Sequence, residues 1–171
     1  PDCGIMTYDS ITSHRAMALD RVRNGAYAAA LSRVVTPDSV VLDLGAGTGV
    51  LGLMAATLGA RRVYLVEPSD IVSVAEEIVA ANGLRERVTI LRGRLEDVDV
   101  PEPVDVMISV MTGNFLLTED LLPVLFRARD TRLKPGGHLV PDAAAMLAVP
   151  VSAESAHARH VADWSVAQHG V

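Results

Sequence analysis

The run Val40-Val41-Leu42-Asp43-Leu44, followed by glycines at 45, 47, 49 and 52, constrains this chain more than any other stretch. An apolar, β-branched run that ends near an acid reads as a strand. The alternating glycines read as a tight loop, and the apolar residues from Val50 onward as a helix. Glycine has no Cβ, so such a loop can take φ > 0 and let a ligand approach its peptide N–H groups. The helix that follows aims the positive end of its dipole at the same place. A second strand, Arg62 to Val66, then closes on Glu67, placed to accept from ribose hydroxyls. Together these features imply a nucleoside-cofactor site.

The register of the glycines keeps two cofactor classes open. Gly47-x-Gly49-x-x-Gly52 matches the dinucleotide fingerprint, in which the first glycine comes straight off the strand. Here Asp43 and Gly45 come first. The string Asp43-x-Gly45-x-Gly47-x-Gly49 resembles motif I of class I S-adenosylmethionine-dependent methyltransferases, with a nicotinamide-dependent oxidoreductase as the alternative.

The chain has 171 residues, half of them hydrophobic, enough for one domain with a full core. Its net charge of −6 argues against nonspecific binding to nucleic acid or an anionic membrane, and none of its apolar runs approaches the ~20 residues of a membrane span. Cys3 is the only cysteine, which excludes an internal disulfide and fits a reducing, cytoplasmic setting. The five histidines lack the spacing of a metal site, so no metal is expected. A chain that opens on Pro1, with nothing like a signal peptide, reads as processed or trimmed, and its other end also looks cut.

Taken in order, His14 to about Val34 reads as one helix, with Met17, Asp20, Arg23, Tyr27, Leu31 and Val34 along one line. Asp20 and Arg23 on that line read either as a solvated ion pair or as part of a face that covers the glycine loop. After Glu67 a helix starts near Pro68-Ser69-Asp70, with Ile71, Val74, Ala75, Ile78 and Ala81 on its buried face. Strands are expected at 88–91 and 104–109, then a helix burying Leu121, Leu122, Leu125 and Ala128. Leu133-Lys134-Pro135-Gly136-Gly137 reads as a turn into a strand at 138–140, and 143–150 alternate toward a further strand. The stretch to Val171 shows no obvious helix. The expected core is therefore an α/β fold, a doubly wound, mostly parallel sheet with helices on both faces.

Over roughly residues 8 to 150 the motifs together resemble the protein arginine methyltransferases. His14-x-x-Met17-x-x-Asp20-x-Val22-Arg23-x-x-x-Tyr27 is similar to that family's cofactor-covering helix. Leu116-Leu117-x-Glu119, Leu122-Pro123 and Ala128-Arg129-Asp130 are similar to its second acidic motif and the helix after it. Leu133 to Gly137 followed by Pro141-Asp142 is similar to its last core strand and the crossing into a β-barrel. The resemblance implies a Rossmann-like S-adenosyl-L-methionine domain over 37–141. An N-terminal cofactor-covering segment would occupy 1–36, and the start of a truncated, substrate-side β domain 142–171. It implies that Arg23 pairs with the methionyl carboxylate, that Asp43 and the backbone of Gly45, Gly47 and Gly49 hold the methionyl amine and tail, and that Glu67 takes the ribose. Leu95 and Glu96 would flank and hydrogen-bond the adenine, His14 would contact substrate or pack near it, Tyr8 would lie over the cofactor, and a homodimer is expected.

One position departs from the family pattern. Two glutamates on one loop clasp the substrate guanidinium in that family; here the second is Glu119, but the first position is Val110. Burying a guanidinium against a valine leaves donors unpaired, at about 1–3 kcal/mol or more. The acceptor is therefore an arginine guanidinium with a replacement partner such as Asp120 or Glu154, or another nucleophile of a peptide, protein or small molecule, with Glu119 as general base or anchor. A cofactor-binding but inactive scaffold is the remaining alternative.

Overall fold

In a computed structural model, residues 11–110 and 121–165 of the chain are described. Among these residues the sheet has five strands, all parallel, in the order β3-β2-β1-β4-β5. The central strand, β1 (Val40–Leu44), is buried at every position because helices cover both faces, and this is why it reads as a continuous apolar run. Strand side chains alternate between faces. Val41 therefore joins Val63 and Leu65 of β2 (Arg62–Glu67) and Val106 and Ile108 of β4 (Val104–Ser109) under α2 (Arg21–Val34), α3 (Val50–Thr57) and α4 (Val72–Ala81). Val40, Leu42 and Leu44 pack instead with Tyr64, Val66 and Met107 against Leu125 and Ala128 of α5 (Leu122–Arg132).

Strand β3 (Val88–Arg92) continues the sheet on one side of β1, and β4 lies on the other. The chain thus reverses its direction of travel across the sheet at the β1/β4 boundary, and the carboxyl ends of those strands flank a crevice. At the opposite ends Asp105 joins three strands. Its Oδ2 accepts from Val40 N at 2.9 Å and its Oδ1 from Lys134 Nζ at 2.7 Å, on β5 (Leu133–Val140).

Several local expectations change. The helix expected over 14–34 is two, α1 (Ile11–Ala18) and α2, because Asp20 is the N-cap of the second: its Oδ1 accepts from the Arg23 backbone N–H at 2.9 Å. Asp20 is thus engaged by the main chain of Arg23, rather than by its guanidinium. Of the expected face after Glu67, Ile71 and Ala75 are buried and Val74 and Ile78 half-buried, while Ala81 is exposed; Val72 and Val79 of α4 are buried as well, so the buried face is broader than expected and stops short of Ala81. The expected turn at 133–137 lies within β5, where the two-residue step from Val104 to Val106 on β4 is matched by a five-residue step from Leu133 to His138. No strand forms at 143–150, where Met146, Leu147 and Val149 are exposed; alternation specifies a strand only when a sheet edge is there to receive it. Residues Glu154–Ser165 form a helix, α6, where none was expected.

Candidate cofactor site

Strand β1 ends at Leu44, and the chain turns at once. Gly45, Gly47 and Gly49 have φ of 70°, 56° and 78°, in the left-handed region that a Cβ disfavours. The first leg of the loop is fastened to the neighbouring strand, since Gly45 N and Ala46 N both donate to Val66 O, at 2.9 and 3.0 Å. Gly49 N donates back to Ala46 O at 2.8 Å, and Gly49 is the N-cap of α3. Space is closed as well as backbone: a Cβ on Gly47 would stand 2.6 Å from His14 Cε1, and one on Gly49 would stand 2.9 Å from Cδ1 of both Leu53 and Leu65.

Two buried carboxylates brace this loop from below. Glu67, at the end of β2, accepts from Gly47 N through Oε2 at 2.8 Å and from Ser69 N through Oε1 at 2.9 Å. Each oxygen keeps a further lone pair, so the pair can still receive a diol. Asp43 faces α3, because it shares the side of β1 that Val41 occupies, and its Oδ2 accepts from Gly52 N at 2.8 Å. That N–H is one of the first-turn donors that no helical carbonyl can satisfy. Burial pushes the Asp43 carboxyl up to about 7; the Gly52 N–H opposes this, the Glu67 carboxylate adds to it, and the Arg23 guanidinium opposes it.

From the other side the N-terminal helices lean over the loop. His14, buried on α1, lies against Gly47. Arg23 is half-buried at the first turn of α2, and the Tyr27 hydroxyl donates to Ser109 O at 3.0 Å, tying α2 to the end of β4. Burial raises the Tyr27 pKa, with Arg23 opposing and Asp43 adding.

The structure thus gathers Asp43, Gly45, Gly47, Gly49, Glu67, His14 and Arg23 around one crevice. Leu95 and Glu96 lie on the turn after β3: Leu95 is buried in the second core cluster with Tyr64 and Val66, and Glu96 is exposed. Val110 is half-buried and packs against the first core cluster. Glu119 and Tyr8 lie outside the described residues. A groove of about 260 Å³ at the opposite, amino-terminal ends of the strands, lined by Asp38, Asp105, Lys134 and His138 among others, is remote from all of these. Asn24 was missed from the sequence. Its amide bridges Arg23 and the end of α1, across a helix break that the apolar periodicity does not reveal.

The arrangement fits an adenosyl amino acid. It offers backbone without side chains, an acid with spare acceptor capacity where a ribose would lie, a cation for a carboxylate, and a second buried carboxyl group beside the loop.

Comparison with known proteins agrees. The methyltransferase domain family matches residues 41–137. Over 161 residues, 93% of this chain, the sequence is 42% identical to the probable protein arginine N-methyltransferase 6.1 of Oryza sativa subsp. indica, of which it covers 42%. The solved structure of Arabidopsis thaliana protein arginine methyltransferase 10, in a uniquely open conformation, superposes with a TM-score of 0.74 at 39% identity, covering 78% of this chain and 39% of that one. The Trypanosoma brucei PRMT1 enzyme–prozyme heterotetrameric complex with AdoHcy superposes with a TM-score of 0.74 at 39% identity, covering 79% of this chain and 43% of that one. The chain therefore spans less than half the length of each of these relatives.

Proposed function

Because this chain belongs to the methyltransferase domain family, among class I S-adenosylmethionine-dependent enzymes that resemble protein arginine N-methyltransferases, we propose that it methylates a nitrogen of a protein substrate, arginine first. The observation that carries the reading is the contact between Glu67 Oε2 and Gly47 N, at the point where three left-handed glycines strip the loop of side chains. In this reading Glu67 receives the ribose, Arg23 the methionyl carboxylate, and Asp43 holds α3 and the loop in register.

S-adenosyl-L-methionine brings an already activated methyl group, so the task left to the protein is alignment and exclusion of water, worth ~7 kcal/mol or more. The crevice supplies rigid backbone on one side and the α1–α2 corner on the other. Glu119 is the proposed anchor or base for the acceptor, Leu95 and Glu96 the proposed adenine edge, and 142–171 the proposed start of a substrate-side domain. Dimerisation is proposed on the resemblance, and a cytoplasmic setting on cysteine usage; among the described residues no helix is long and apolar enough to cross a membrane.

A second reading, a nucleophile other than guanidinium or a scaffold without turnover, is favoured by one specific observation. Where the family pattern places an acid, Val110 packs half-buried against the core.

Thermal shift with S-adenosylhomocysteine, NAD and NADP tests the cofactor: stabilisation by the first alone is expected, and stabilisation by NAD instead would overturn the reading. Transfer of labelled methyl to arginine, lysine and histidine peptides tests the acceptor. Glu119→Gln is expected to spare S-adenosylhomocysteine affinity and lower turnover, and an unaltered rate would remove Glu119 from the site.

A further inference from the structure

Asn24 stands immediately after Arg23 and makes four contacts that no sequence motif explains. Its Oδ1 accepts from Arg23 Nε and from Arg23 Nη2, each at 3.3 Å. Its Nδ2 donates to Ala18 O at 2.8 Å and to Met17 O at 3.4 Å. The orientation of the amide is dictated by its neighbours: a guanidinium only donates, so the oxygen must face it, and carbonyls only accept, so the nitrogen must face them. Ala18 O is available because α1 ends there, and Met17 O, which accepts from Asp20 N at 3.3 Å, keeps a second lone pair. In a continuous helix they would be taken by N–H groups one turn on.

We infer that Asn24 is a positioning residue for cofactor binding, holding the Arg23 guanidinium through its Nε–Nη2 edge while fastening it to the last turn of the helix that lays His14 on Gly47. The inference rests on the proposed pairing of Arg23 with the methionyl carboxylate. It adds a directional consequence. With the Nε–Nη2 edge turned to Asn24, the outer Nη1–Nη2 end is the part of the fork left for a carboxylate. Asn24 also makes the α1–α2 corner and the cation one unit, so the helix over the glycine loop and the charge beside it are set together.

The test uses two ligands that differ in the carboxylate alone as far as Arg23 is concerned: S-adenosylhomocysteine, and 5′-methylthioadenosine, which lacks the amino-acid tail. Asn24→Ala and the near-isosteric Asn24→Leu both raise helix propensity, so both are expected to fold, and denaturant melts check this. By calorimetry each should weaken S-adenosylhomocysteine binding about tenfold, the scale of a hydrogen bond to a charged group, and change 5′-methylthioadenosine binding less than about twofold. In an Arg23→Ala background the Asn24 substitutions should have no further effect, because the group they position is gone. Equal weakening of both ligands would make Asn24 merely structural and overturn this role, as would unchanged S-adenosylhomocysteine affinity in a protein that Arg23→Ala impairs. If Arg23→Ala itself leaves S-adenosylhomocysteine affinity intact, the pairing of Arg23 with the carboxylate falls, and the role of Asn24 with it.

Discussion

Gly47→Ala adds one methyl group at the most crowded point of the loop. Two costs arise. The residue sits at φ +56°, where an L side chain is disfavoured by about 1–2 kcal/mol. The new Cβ would stand 2.6 Å from His14 Cε1 and 2.8 Å from His14 Nδ1, so the ring or the loop must move, an overpacking cost of about 1–3 kcal/mol. The total is ~2–5 kcal/mol. Where it is felt depends on the loop. If the loop keeps its shape, the cost is lost stability; if it relaxes, the contact of Gly47 N with Glu67 loosens and the cost is lost affinity. Urea unfolding and calorimetric titration with S-adenosylhomocysteine should therefore be measured on the same variant, and their losses should together fall in this range. Adding His14→Ala should recover the steric share and leave the backbone share, a coupling of about 1–3 kcal/mol in the double-mutant cycle. A Gly47→Ala protein within about 0.5 kcal/mol of the parent by both assays would refute this account of the loop.

Gly52→Ala lies in a helical conformation and carries no left-handed penalty, yet its Cβ would run into Leu65 Cδ2 and stand 3.1 Å from Asp43 Oδ2; a stability loss of about 1–3 kcal/mol is expected by urea unfolding. Glu67→Gln leaves one carbonyl oxygen for the two donors Gly47 N and Ser69 N, so one N–H must face an amide NH₂, and S-adenosylhomocysteine affinity or melting stability should fall by about 1–3 kcal/mol. The Asp43 carboxyl, raised from 3.8 to about 7 chiefly by burial, keeps a proton in the folded protein that the unfolded chain releases between those values. The stability it contributes is complete below the unfolded pKa and declines as pH rises toward the folded one. Asp43→Asn keeps an oxygen for Gly52 N and does not titrate, so its stability relative to the parent should improve from pH 5 to pH 8; an equal difference at both pH values in urea titrations would contradict the shift.

The glycine loop, the first three strands and the acids at 43 and 67 were legible in the sequence because each is a local pattern: a continuous apolar run for a strand buried on both faces, glycines where φ is positive, and an acid at a strand end. The break at Asp20 was not, since the three- and four-residue spacing from Met17 to Val34 runs on through Asp20 and Arg23. The decisive contact is a side-chain cap that only reveals itself once Asp20 Oδ1 meets Arg23 N. Residues 143–150 failed the other way, carrying a strand pattern with no strand beside it.

What the amino-acid sequence determined alone was the class of ligand, because a backbone stripped of side chains and an acid one strand later are properties of the order of residues. Tertiary structure decided how the two acids share the work. Glu67 reaches the loop at Gly47 because β2 lies parallel beside β1, and Asp43 is turned to Gly52 because the pleat sends it under α3. It also decided that His14 lies against Gly47 and that Asn24 links Arg23 to the end of α1. Their contacts depend on where two separate helices come to rest, and no spacing along the chain encodes that distance.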